Sequence, residues 1–180
     1  MRASAYVLVV VAALTLLRLG RTDRDLWLYD TFEGMPEPDF RDIRFDDLGA
    51  GDILKSRPKT EKDGYWAIAK LEDVKRNVSG TGYPTERVHY IQGKVEDTVP
   101  AQTPSEISLL RLDTDWYSST LHELNHLYPK LSRNGVLIID DYGWWKGQKQ
   151  AVDEYFGRLK FPPLLHRIDA ASRACIKQVE

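Results

Sequence analysis

The chain has 180 residues, 42% of them apolar and 29% charged, and a formal net charge of -2. That length supports a real core in one domain. The near-neutral balance gives no electrostatic footprint for nucleic acid or an anionic membrane as partner. A single cysteine, Cys175, rules out an internal disulfide and favours a reducing, cytoplasmic setting.

In chain order, residues 3–17 are apolar except for Ser4, Tyr6 and Thr15, with Arg2 before them and Arg18 after. The run is shorter than the roughly 20 residues that span a bilayer. Its length fits a signal peptide, but one arginine ahead of it and Leu19-Gly20-Arg21 behind it are poor processing signals. The preferred reading is a buried helix or strand of the domain, closed by Gly20. Residues 25–29 (DLWLY) then form a short apolar run ended by Asp30, expected as a buried strand with an acid at its tip. Residues 36–62 hold Gly49, Gly51 and three prolines among many charges, and read as a long loop or lid.

Residues 65–77 place Trp66, Ile68, Ala69, Leu71 and Val74 at the spacing of an amphipathic helix. Residues 87–92 (RVHYIQ) are the next strand, ending at Gly93, and residues 95–104 a polar connector. The strongest signal spans residues 107–145. Two apolar runs, 107–112 and 136–139, each end in acid, Asp113 with Asp115 and Asp140 with Asp141, and residues 118–131 between them repeat apolar positions at helical spacing. This is a β–α–β unit with carboxylates at the carboxyl ends of parallel strands, where open α/β sheets bind ligands. A helix over 149–159 and a hairpin over 164–169 and 174–179 complete the chain. The predicted fold class is therefore α/β, a doubly wound, mostly parallel sheet with a C-terminal antiparallel hairpin.

Carboxylates converging at strand tips suit Mg²⁺, which takes a few protein oxygens and keeps some waters. Asp115 reads instead as the cap of the helix beginning near Tyr117. Adjacent Asp140 and Asp141 repel each other unless a cation compensates, so the expected metal set is Asp113, Asp140 and Asp141. Asp30 at its strand tip is a candidate for a nucleotide ribose. Trp116, Tyr117, Tyr142, Trp144 and Trp145 either wall a substrate pocket or pack the core. His122-Glu123-Leu124-Asn125-His126 matches the HExxH zinc-hydrolase pattern. On a helix, however, the two histidines fall opposite the face formed by Leu121, Leu124, Leu127, Tyr128 and Leu131, on the solvated side.

Taken together, LWLYDTFEGMP (26–36), VEDTVP (95–100), LLRLDTDWYSST (109–120), LYPKLSRNGVLIIDDY (127–142), AVDEY (151–155) and LLHRID (164–169) resemble the macrocin O-methyltransferase family. Its members are Mg²⁺-dependent class I methyltransferases that use S-adenosylmethionine. The resemblance puts Asp113, Asp140 and Asp141 on the metal, Asp30 on the cofactor ribose, and Gly93, Lys94 and Val95 near adenine. It implies a small-molecule hydroxyl acceptor such as a sugar, oriented by the metal, with Asp113 taking the proton; homo-oligomer formation stays open. The lysine base of related catechol methyltransferases is replaced by Trp116. The family opens on a strand and glycine-rich loop, and no glycine precedes Gly20 here. The expectation is a single domain over residues 1–180, truncated at its amino end and lacking its first strand, with the β-branched residues 7–11 as a makeshift substitute. A non-catalytic remnant of the same fold is the alternative to an enzyme.

Overall fold

The structure, a computed structural model, describes residues 5–178, with side chains from residue 7. In chain order the elements are α1 (Ala5–Arg18), β1 (Leu26–Asp30), α2 (Ala50–Lys55), α3 (Leu71–Ser79), β2 (Val88–Gln92), α4 (Val95–Thr98), β3 (Ile107–Leu112), α5 (Tyr117–His126), β4 (Leu131–Ile139), α6 (Lys146–Gly157), β5 (His166–Arg167) and β6 (Arg173–Ile176). The alternation is the expected α/β architecture, with parallel pairs β1–β2 and β3–β4 and the antiparallel hairpin β5–β6 at the end. The chain divides into two compact units.

The first unit comprises the described residues up to Pro36 together with Arg57–Lys94. In it, β1 and β2 run parallel, with Asp30 opposite Gln92. Ala13, Leu28, Phe32, Val74, Val78, Tyr83 and Val88 form the core, with Val9, Val10, Leu16 and Leu17 of α1 packed against it. Residues 7–11 are therefore helical, not a makeshift strand. Gly20 ends the helix as anticipated: at φ 64° its N–H bonds Leu17 O at 3.0 Å, and Arg21 N–H bonds Leu16 O at 2.8 Å, a Schellman closure. The helix expected over 65–77 begins only at Leu71. The backbone before it is committed elsewhere. Tyr65 and Trp66 N–H groups donate to the Asp63 carboxylate, and Trp66 O accepts from Met35 N–H at 3.0 Å.

The second unit comprises Glu37–Ser56 and the described residues from Val95 onward. Its sheet has the order β3-β4-β6-β5. Strand β4 alternates, with Leu137 and Ile139 fully buried and Ile138 half-buried between them, as a strand covered on one face requires. It starts at Leu131, five residues earlier than the apolar run suggested. Helix α5 stops at His126 because Pro129 follows within the next turn, where a 3₁₀ segment, Tyr128–Lys130, takes over. The segment read as a lid is pinned down. Arg44 bridges to Trp145, Phe45 N–H donates to Trp144 O at 2.9 Å, and Lys146 N–H donates to Ile43 O at 2.7 Å. Among the described residues no helix is long and apolar enough to cross a membrane.

Candidate functional site

Strands β3 and β4 are in register at Leu112 and Ile139, and Asp140 N–H donates to Leu112 O at 3.1 Å. The next residue of each strand, Asp113 and Asp140, therefore stand side by side. Two carboxylates so placed repel each other and need a cation between them. Arg111 supplies one. It lies two residues before Asp113, on the same face of β3 by the strand's period of two. Its Nη1 donates to Asp113 Oδ2 at 2.6 Å and its Nη2 to Asp140 Oδ2 at 2.5 Å. Ser172 Oγ, from the loop leading into β6, donates to Asp140 Oδ1 at 3.1 Å. Both oxygens of Asp140 are thus engaged.

A different trio faces one another. Ligand oxygens of Asp113, Asp115 and Asp141 all lie within 4.8 Å of each other, the one such group of three among the described residues. Asp113 and Asp141 belong to the set expected from the sequence. Asp140 is turned to Arg111 and Ser172, and Asp115 stands in the trio. The cap reading of Asp115 is corrected here: the residue flanking α5 is Trp116, and no side chain of that residue caps the helix. Asp115 sits at φ 67°, inside a tight turn in which Trp116 N–H reaches Thr114 O at 2.8 Å. Aspartate tolerates the left-handed region better than most residues. The turn buries Asp115 to 5% exposure among the acids.

The cap comes from far away. Asp42, 1% exposed, accepts Tyr117 N–H at Oδ1 (2.8 Å) and Asp39 N–H at Oδ2 (2.8 Å). Beside it, the Arg41 guanidinium lies 3.6 Å from the centre of the Tyr117 ring, whose hydroxyl donates to Glu154 Oε2 at 2.7 Å. Of the aromatic group, Trp116 and Trp145 meet edge to face at 5.0 Å and are core residues; Tyr142 and Trp144 are half-buried.

Burial raises the Asp113 carboxyl well above the usual carboxylate range, against the pull of Arg111 and with the push of Asp140. Glu123 is 5% exposed, and burial pushes it up to about 8; the hydrogen bond from Thr114 Oγ1 at 2.8 Å opposes this and Asp113 adds to it. A neutral glutamic acid facing Thr114 is the wrong state for the general base of an HExxH site. The histidines are not on an open face either. Both are half-buried, and the His122 Nε2 is 2.8 Å from Val99 O. They join no group of three potential ligands among the described residues.

In the first unit, Asp30 ends β1. Its Oδ1 accepts Phe32 N–H at 2.7 Å and lies 3.4 Å from the Thr31 hydroxyl. Burial raises its carboxyl above the ordinary range. The following turn is tight: Phe32 is at φ 56° and Gly34 at φ 94°, and a Cβ on Gly34 would overlap the Ile68 side chain and Trp66 O. Gly93 sits beside it, its N–H donating to Asp30 O at 3.0 Å, with exposed Lys94 next. In the second unit Val95 is buried and opens α4.

The family described as Macrocin-O-methyltransferase (TylF) matches residues 3–175. The chain belongs to this family. Demethyldecarbamoylnovobiocin O-methyltransferase of Streptomyces niveus is 33% identical over 147 residues, 82% of this chain and 53% of that protein. The 8-demethyl-8-(2,3-dimethoxy-alpha-L-rhamnosyl)-tetracenomycin-C 4'-O-methyltransferase of Streptomyces olivaceus is 34% identical over 152 residues, 83% of this chain and 54% of that protein. Among solved structures, the O-methyltransferase NovP matches with a TM-score of 0.78 and 28% identity, over 94% of this chain and 66% of that one. The chain spans about half the length of the curated relatives it matches. In this member of the macrocin O-methyltransferase family, Arg111, Asp42 and Glu123 are the residues of the site that sequence reasoning missed. Arg111 was detectable from its two-residue offset to Asp113. Asp42 carried no local signal, because its partner Tyr117 is 75 residues away.

Proposed function

We propose that the chain is the methyl-transferring part of a cation-assisted O-methyltransferase, acting on a hydroxyl of a sugar or other natural-product scaffold. One observation carries the cation: three carboxylates at the carboxyl ends of adjacent parallel strands, with ligand oxygens within 4.8 Å of one another. An all-oxygen set of this charge fits a hard divalent ion such as Mg²⁺ better than a soft one. Asp113, Asp115 and Asp141 would hold it, with Asp140 in reserve behind Arg111. S-adenosylmethionine, when bound, supplies an electrophilic methyl group, and the ion polarises the acceptor hydroxyls and eases their deprotonation.

The residues divide the remaining work. Asp30 is suited to accept a ribose hydroxyl at Oδ2, its Oδ1 being fixed by Phe32 N–H; Gly93, Lys94 and Val95 would follow the adenine. Asp113, whose carboxyl burial brings toward neutrality, can take the acceptor proton at its carboxylate, while Asp141 and Asp115 keep the acceptor oriented. Protein carrying these residues should form S-adenosylhomocysteine when given S-adenosylmethionine, Mg²⁺ and glycosylated acceptors. EDTA, Asp113→Asn and Asp141→Asn should each stop it. Turnover untouched by all three would sink the cation role. A folded protein that neither binds S-adenosylmethionine nor turns over with any acceptor would favour the non-catalytic remnant.

A further inference from the structure

The β5–β6 hairpin pairs only His166 with Ala174 and Arg167 with Arg173. Ahead of His166, Pro162 and Pro163 lack the N–H groups that a longer ladder needs, so the two arms part. A cavity of about 300 Å³ lies there, lined by Leu164 and His166 from one arm, Ile176 and Gln178 from the other, and Tyr128. Ile176 pairs with Val136, whereas Arg173 pairs with Ile139, the residue before Asp140, so the cavity lies toward the end of β4 away from the acids. Phe161 and Leu164 on its rim are 63% and 74% exposed. Large apolar side chains left in water around a concavity mark a binding site.

The buried side of the cavity is polar in two ways. Tyr128 is 6% exposed, its ring set edge to face against Phe156 at 5.1 Å. No hydrogen bond from the described residues holds its hydroxyl, and burial pushes that group up to about 12, so it stays a donor at neutral pH. Lys177, also 6% exposed, places Nζ 5.3 Å from the centre of the Tyr128 ring. That ammonium donates to the carbonyls of Tyr128 at 3.3 Å, Pro129 at 3.1 Å and Leu131 at 2.8 Å, and no acid among the described residues pairs with it. All three of its donors are used, so it offers the cavity charge rather than a hydrogen bond. A buried positive charge without a counter-charge favours an anion nearby.

We propose that this cavity binds a small aromatic carboxylate, its ring among Phe161, Pro162, Pro163 and Leu164 and its carboxylate on the Tyr128 hydroxyl, in the field of Lys177. The cavity's size admits one ring with a short substituent. The carboxylate satisfies the buried phenol and offsets the ammonium behind it, and the ring covers the exposed apolar rim.

The test follows the backbone amide signals of Ile176 and Gln178 by nuclear magnetic resonance in the full 180-residue chain as sodium benzoate is added. Benzyl alcohol serves as the uncharged ring of similar size. Benzoate should shift both signals with a Kd of about 1 mM or tighter, and benzyl alcohol should bind at least about fivefold more weakly. Tyr128→Phe keeps the packing of the ring and should weaken benzoate by about tenfold, bringing the two ligands closer in affinity. Leu164→Glu places an anion on the exposed rim and should weaken benzoate at least about threefold more than benzyl alcohol; it carries the test if Tyr128→Phe does not fold. No cation or methyl donor is added, so the outcome is independent of the methyl-transfer reading. Benzoate affinity unchanged in both folded variants means adventitious binding elsewhere and overturns the proposal. Equal affinity of the parent for the two ligands overturns it too, as do signals unmoved at about 10 mM benzoate.

Discussion

Asp42 Oδ1 accepts the backbone N–H of Tyr117 at 2.8 Å, so the first turn of α5 is capped by a residue 75 positions earlier in the chain. The same carboxylate holds Asp39 N–H through its other oxygen. The segment around Asp42 is thereby tied to the helix that follows the Asp113–Asp115 turn. Replacing Asp42 by alanine leaves both donors without this acceptor in a buried setting. We expect a loss of about 2–4 kcal/mol, read from urea unfolding. A loss below about 0.5 kcal/mol would mean that another group or water caps the helix.

Gly147 lies in the first turn of α6 against this same feature. A Cβ there would overlap Asp42 Oδ1 and approach Arg41 O at 3.1 Å. Alanine is the better helix former by about 1 kcal/mol, but overpacking against a buried carboxylate costs about 1–3 kcal/mol. Gly147→Ala should therefore be neutral to destabilising despite its helical position. A clear rise in melting temperature would contradict the close packing of Asp42 on α6.

Glu123 ties stability to pH. Its carboxyl titrates near 4.5 in an exposed chain and near 8 in the folded protein, with burial as the main cause. Between those values the folded state holds a proton that the unfolded state has lost, so stability contributed by this group falls as pH rises from about 4.5 to about 8. Below 4.5 the contribution is fully present. Glu123→Gln keeps an acceptor for Thr114 and removes the titration. The variant should gain stability over the parent at pH 8, on the order of 2 kcal/mol, with the difference shrinking toward pH 5. Parallel stability curves for the two proteins across that range would rule out a neutral Glu123.

The cofactor role proposed for Asp30 is testable separately from the cation. Asp30→Asn removes the charge but keeps an acceptor for Phe32 N–H, the bond that shapes the turn. Calorimetry should show S-adenosylmethionine affinity reduced by about tenfold or more, with Mn²⁺ affinity unchanged. Equal cofactor affinity in parent and variant would remove Asp30 from the binding role.

The apolar runs and their terminal acids were enough to locate β1, β2 and β3 and to identify Asp30, Asp113, Asp140 and Asp141 as strand-tip acids. Short-range periodicity specifies which residues face a core, and a charge placed directly after an apolar run has few places to go but the strand end. The same reasoning misplaced boundaries wherever the backbone bonds to distant partners. Residues 65–70 look helical in pattern, yet the amides of Tyr65 and Trp66 serve Asp63 and the Trp66 carbonyl serves Met35. Leu131 continues the helical spacing of the segment before it, but it and residues 132–135 extend β4.

Alternating apolar segments with acids after each strand, read from the sequence alone, determined the α/β class, the β–α–β unit and which acids follow its two strands. Their partners were decided only in three dimensions. The register of β3 on β4 sets Asp113 beside Asp140, and the fork of Arg111 then holds Asp140 while the left-handed turn at Asp115 brings that residue toward Asp113 and Asp141. Direction is the reason. Sequence spacing tells which end of a strand a carboxylate occupies, but which oxygen meets which nitrogen depends on side chains converging from segments far apart in the chain.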